Sequence, residues 1–177
     1  MSYGNLTPAQ WKALKQYVDG VVVHDLGAGQ LELAHETILL GANQVIAIDK
    51  DRMPVPHNRR IKTVRSYFAD YKEPIDTALV SWPINRVERS LLELLRRARI
   101  VIYIGKNTDG LSCGWPHLFL YFLSRELLEY VPDSHNVLAV YGKPLDHMRR
   151  PTGEELAAIR TYEKMYSYDE AEADAVS

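Results

Sequence analysis

The stretch from Val21 to Asp51 limits what this chain can fold into more than any other. It opens with a β-branched run, Val21-Val22-Val23-His24-Asp25-Leu26, stopped by Gly27-Ala28-Gly29. Leu31 to Leu40 follows with apolar residues at helical spacing and closes at Gly41, before a second run, Val45-Ile46-Ala47-Ile48-Asp49. Continuous apolar runs suit strands covered on both faces of a parallel sheet, and the stretch between them reads as a packed helix. Strand, helix and strand in about 29 residues make one βαβ unit.

The same alternation continues on both sides. Thr7-Pro8-Ala9-Gln10 supplies an N-cap and a proline at the first helical position, which predicts a helix to about Asp19-Gly20. Further strands are predicted over Ile61 to Phe68, Ile75 to Ser81, Ile100 to Ile104 and Val137 to Tyr141, and helices over Asn85 to Ala98 and Pro116 to Tyr130. Thr152 begins a last helical stretch, and Thr161 to Tyr168 reads as a short edge strand. The expected architecture is α/β: a doubly wound, mostly parallel sheet of about six or seven strands with helices on both faces. Residues 1–168 form one domain on this reading, and the acidic, alanine-rich end from Asp169 to Ser177 is a frayed tail.

Composition excludes several classes. With 21 basic and 23 acidic residues the formal charge is −2, which argues against wholesale electrostatic binding of nucleic acid. Two basic clusters stand out locally: Arg86, Arg89, Arg96, Arg97 and Arg99, and Arg59, Arg60, Lys62 and Arg65. They read first as solvated faces, and they leave a nucleic acid or another anionic partner open without favouring one. A single cysteine, Cys113, removes any internal disulfide framework or cysteine-rich zinc site, and the expected compartment is cytoplasmic. The six histidines lack metal-ligand spacing, so no metal is expected, and His24 reads as a packed residue. The longest apolar run, Leu118 to Leu123, is far short of a membrane span. It suggests a helix covered on both sides, by the core or by a homodimer contact.

Ligands in doubly wound sheets sit beyond the carboxyl ends of the strands, where strand order reverses. Gly27 and Gly29 fall at that place and let the backbone turn sharply and approach a ligand. Asp49 ends the second strand, where a carboxylate can accept bonds from both hydroxyls of a ribose. The dinucleotide fingerprint is incomplete, because Glu32 stands where a pyrophosphate turn needs a small residue, and its charge would oppose a pyrophosphate. A cofactor without phosphates is therefore preferred. A nucleotide- or NAD-binding oxidoreductase is disfavoured by Glu32 and by the absence of an obvious proton-transfer pair.

Asp25-Leu26-Gly27-Ala28-Gly29, with Gly41-Ala42 before the run ending in Asp49, resembles the class I S-adenosylmethionine-dependent methyltransferase family over roughly residues 20–142. The resemblance implies a Rossmann-like fold and S-adenosyl-L-methionine as cofactor. It implies that Gly27, Ala28 and Gly29 lie by the methionine part, Asp25 by its amino group, Asp49 on the ribose, Lys50 beside the adenine and Asp70 against the adenine amino group. Ser81, Trp82 and Pro83 occupy the place of the substrate-facing loop, and Trp82 could wall the sulfonium methyl through cation–π attraction. Amino-group methyltransferases often carry Asp or Asn, then Pro-Pro and an aromatic residue, at that loop. Ser81-Trp82-Pro83-Ile84 has one proline and no acid or amide at its head, which counts against N-methylation of a base or glutamine. The polar loop Lys106-Asn107-Thr108-Asp109 follows the next strand on the same edge. The expected activity is methyl transfer to an unidentified acceptor; the alternative is a catalytically inactive sensor or partner subunit of the same fold.

Overall fold

The computed structural model describes residues 6–83, 89–105, 117–133 and 136–157. Seven strands, β1 (Val22–Leu26), β2 (Gln44–Asp49), β3 (Ile61–Arg65), β4 (Thr77–Ser81), β5 (Ile100–Gly105), β6 (Arg125–Pro132) and β7 (Val137–Pro144), form one sheet. Their order is β3-β2-β1-β4-β5-β7-β6. Strands β1 to β5 pair in parallel, while β7 runs against both of its neighbours, β5 and β6. The order runs outward from β1 in one direction and from β4 in the other, which places the switch point between those two strands.

Side chains alternate along each strand, and the two faces receive different helices. Val23, Val45, Leu79, Ile102 and Leu138 share one core with α1 (Pro8–Val18) and α2 (Glu32–Leu39). Leu26, Ile48, Val80, Tyr103 and Ala139 share the other with α3 (Arg89–Arg97) and α4 (His117–Leu123). Burying a leucine or isoleucine in either core contributes about 1.5–3 kcal/mol. The expected doubly wound α/β architecture is present.

At the start of α1, the Thr7 hydroxyl accepts from the Gln10 amide at 3.2 Å and the Gln10 side chain accepts from the Thr7 amide at 3.0 Å. Together they form a reciprocal capping box. The same Gln10, fully buried, donates through Nε2 to Val131 O and Asn136 Oδ1, both at 2.9 Å. A side chain that caps its own helix thus also fastens it to the ends of β6 and β7.

One element departs from expectation. The helix predicted from Pro116 to Tyr130 stops at Leu123, and residues 125–132 form strand β6. Leucine and glutamate favour helix in isolation, but in Arg125-Glu126-Leu127-Leu128-Glu129-Tyr130 the pairing with β7 and the burial of Arg125 outweigh that weak preference. Within the single chain α4 is covered on one side: Leu118 and Phe122 are buried, whereas Leu120 is 51% exposed.

Arg125 is the largest fully buried side chain. It donates to Gly142 O at 2.6 Å, to Leu95 O and Tyr121 Oη at 2.8 and 2.9 Å, and to Ala98 O and Arg99 O beyond the end of α3. Carbonyls at a helix carboxyl end lack intrahelical donors and carry negative partial charge, so they suit a cation. Arg149 pairs with the buried Glu155 at 2.7 and 3.0 Å. Glu155 also caps a short helix over 153–157 in a second reciprocal box with Thr152. The expected strand over Thr161 to Tyr168 and the tail lie outside the described residues. No described helix is long and apolar enough to cross a membrane.

Candidate functional site

A cavity of about 220 Å³ opens at the carboxyl ends of the first four strands. Leu26 and Gly27 reach it from β1, and Asp49, Lys50 and Asp51 from β2. Ser66, Tyr67 and Phe68 line it beyond β3, Val80 to Pro83 beyond β4, and Leu91 from α3. It lies at the switch point, where the fold leaves strand ends uncovered.

The glycine turn is shaped by backbone conformation more than by crowding. Gly27 has φ +82° and Gly29 φ +51°, and an added Cβ at either would meet nothing within 4 Å. Both adopt a region that other residues enter only at a cost. The amides of Gly27 and Ala28 donate to Ile48 O at 2.8 and 3.3 Å, drawing the turn against the end of β2. The Gly29 amide donates to Asp49 Oδ2 at 3.0 Å, and the Asp51 amide to Oδ1 at 2.9 Å. Each oxygen of Asp49 is therefore oriented by one amide and keeps a further acceptor position.

Asp25 lies one residue before the cavity wall and is buried, at 1% exposure. Neither of its carboxylate oxygens has a hydrogen-bond partner among the described residues. Burial, and after it the charge of Asp49, push its pKa up to about 7. On the opposite face of β1, His24 Nε2 and Tyr71 Oη share a hydrogen bond of 3.0 Å. Burial and then the Arg97 guanidinium hold His24 below the usual histidine pKa. His24 is the packed residue that was expected.

Trp82 lines the cavity with φ +46°, and its amide donates to Ile104 O at 2.7 Å. That conformation is an outlier for a bulky aromatic residue, the more so directly before a proline. Such strain persists only where the surroundings enforce it. Sequence reasoning could not see it. Leu31, fully buried, also has positive φ, at +66°, where α2 begins without a side-chain cap.

Of the residues singled out from sequence, Gly27, Asp49, Lys50, Ser81, Trp82 and Pro83 line the cavity, whereas Asp25, Ala28 and Gly29 flank Leu26 and Gly27 in sequence and are not in its wall. Asp70 is not brought into the wall; it sits exposed in the turn after Tyr67. Lys106 to Asp109 and Cys113 lie outside the described residues. Sequence reasoning passed over Asp51, Ser66, Tyr67, Phe68 and Leu91; the rule that ligands gather at strand carboxyl ends would have pointed to the first four. Among the described residues no group of three or more His, Cys, Asp or Glu could hold a metal ion.

The chain is 33% identical over 104 residues to a ribosomal protein L11 methyltransferase of Aquifex aeolicus (strain VF5), covering 53% of this chain and 42% of that relative. No family model matches. A didemethyltoxoflavin N1-methyltransferase of Burkholderia thailandensis, solved with S-adenosylhomocysteine, superposes with TM-score 0.58 at 14% identity, over 77% of this chain and 79% of that one. A ribosomal protein L11 methylase of Lactobacillus delbrueckii subsp. bulgaricus gives 0.54 at 16%, over 78% and 81%. The chain has the Rossmann-like α/β fold of these structures: among the described residues, one reversed strand, β7, two layers of helices and a cavity at the β1/β4 switch point. This chain spans about two fifths of the length of its L11 methyltransferase relative.

Proposed function

We propose that the chain is an S-adenosylmethionine-dependent methyltransferase whose cofactor enters the cavity at the ends of β1 to β4. The observation that carries this reading is the Asp49 carboxylate, oriented by the Gly29 and Asp51 amides with an acceptor position left on each oxygen. That arrangement suits a ribose diol. Asp25 supports it independently: a buried carboxylate without a protein partner suits an ammonium group, which would restore its charge balance. Lys50 and the aromatic ring of Phe68 offer an adenine its edge and a face.

When bound, S-adenosylmethionine supplies an electrophilic methyl group on a sulfonium centre. The chain's own part is positioning and exclusion of water. Gly27 and Gly29 keep Cβ atoms out of the turn, and Leu26, Val80 and Leu91 give the cavity apolar walls. Trp82, held in its strained conformation by Ile104 O, presents an indole to the same space. The names of the L11 methyltransferase relative and the structural neighbours support methyl transfer as the activity.

Calorimetry tests the reading. S-adenosylmethionine and S-adenosylhomocysteine are expected to bind and NAD is not. Asp49→Ala is expected to weaken binding at least tenfold, because hydrogen bonds to a charged group contribute about 1.5–3 kcal/mol each. Failure of both sulfur compounds to bind overturns the proposal. Binding without transfer of a labelled methyl group to any cell-extract component favours the sensor or partner-subunit alternative.

A further inference from the structure

We propose that the edge strand β3 carries a single-stranded nucleic acid whose end is delivered to the cavity, so that the methyl acceptor is a nucleic acid. For the word acceptor this rests on the methyl-transfer reading above; the binding surface is argued separately.

Lys50, Arg52, Arg59, Arg60, Lys62 and Arg65 are all exposed, and Asp51 is the one carboxylate between residues 50 and 65. Among the described residues none of the six cations has a carboxylate partner, whereas Lys15, Arg89, Arg99 and Arg149 each have one. In a chain of formal charge −2, six uncompensated cations on one segment make a local field that the total conceals.

Their placement gives the field a direction. Among the described residues β3 is the outermost strand on its side of the sheet and pairs with β2 alone. Arg59 and Arg60 precede its first residue, Lys62 lies along it and Arg65 ends it. The Arg65 backbone lies opposite Asp49 in the β2–β3 register, and its Nε donates to Lys50 O at 3.3 Å, which ties the end of β3 to the cavity wall. The cations therefore span the length of the strand, roughly 15 Å, on both faces of the sheet edge, and stop at the cavity mouth.

At that mouth the chain places Tyr67, two residues beyond Arg65 and 60% exposed although it lines the cavity. A row of cations tracks a phosphate backbone, and an exposed aromatic ring beside it stacks a base. Phosphates alone would need only the first. An extended edge strand matches an extended strand of nucleic acid better than a duplex, whose target base would first have to be unpaired and unstacked.

The test uses the full chain and a fluorescent mixed-sequence 12-nucleotide single-stranded RNA, with anisotropy read at several salt concentrations. Binding is expected to weaken as salt rises. Arg59→Glu with Lys62→Glu is expected to lower affinity at least tenfold, and Lys62→Ala to reduce the log–log salt slope by about 1. Neither residue lines the cavity, so calorimetric binding of S-adenosylmethionine should be unchanged; that separates failure of this inference from failure of the cofactor reading. Tyr67→Ala is expected to weaken RNA binding about tenfold without weakening binding of inorganic polyphosphate. Salt-independent binding, unchanged affinity in the double variant, equal loss on polyphosphate, or equally tight binding to phosphatidylserine vesicles overturns the proposal.

Discussion

Two charged side chains are buried in opposite halves of this sheet, and the fold treats them differently. Arg125, on β6, has four carbonyls and a hydroxyl around its guanidinium. Asp25, on β1, has no hydrogen-bond partner for either oxygen among the described residues. A buried charge without partners is costly, so a fold retains one where something else benefits. The Arg125 region is satisfied within the chain and holds the second half of the sheet to α3. The Asp25 region is left unsatisfied beside the cavity, where our proposed cofactor would complete it.

The sharpest way to break this comparison is to remove the arginine. Arg125→Met should destabilise the protein by about 3–5 kcal/mol in urea melts, because it removes the buried guanidinium that donates to the carbonyls of Leu95, Ala98 and Gly142. A loss below about 1 kcal/mol would mean that Arg125 is not structural. Asp25→Asn should act in the other direction. The folded pKa, raised to about 7, lies above the unfolded value of about 4, so the folded state binds more protons across that window. Wild-type stability should therefore fall as pH rises from about 4 to 7, by at most about 4 kcal/mol, and Asp25→Asn should flatten that decline. Parallel stability curves for the two proteins would contradict it.

Glu155 supplies the contrast that sharpens both. It is as buried as Asp25 but bonded to Arg149 and Thr152. Burial pushes its pKa up, yet the Arg149 and Thr152 hydrogen bonds outweigh that and hold it below the usual glutamate value. A depressed folded pKa contributes stability above the unfolded value that is lost as pH falls through the folded one. Glu155→Gln should thus cost about 2 kcal/mol at pH 7, with the difference from wild type closing below about pH 4. A constant difference across pH would assign the effect to packing.

Much of the first half was legible because its signals are local. Continuous apolar strands, two glycines and a terminal Asp49 reveal a parallel βαβ unit and its ligand edge without any knowledge of distant partners. The second half was not. The segment after Leu123 has helix-forming composition, and it becomes a strand through pairing with β7 and through acceptors on α3 for Arg125. Neither is visible in the segment itself. In the site, Gly27 and Asp49 were readable from position. The partnerless burial of Asp25 and the strained φ of Trp82 are consequences of assembly.

The bonds from Gln10 to Val131 and Asn136 close loops of 121 and 126 residues. At the roughly 5–20 residues per second of translation, the amide of Gln10 waits about ten seconds for the residues it will bind. During that interval β1 to β4, whose pairings span far shorter loops, can already associate. Helix α1 is made before the segment that binds its glutamine. The bonds of that buried side chain report that the chain has been made at least as far as Asn136, and the strands that frame the cavity are made before then.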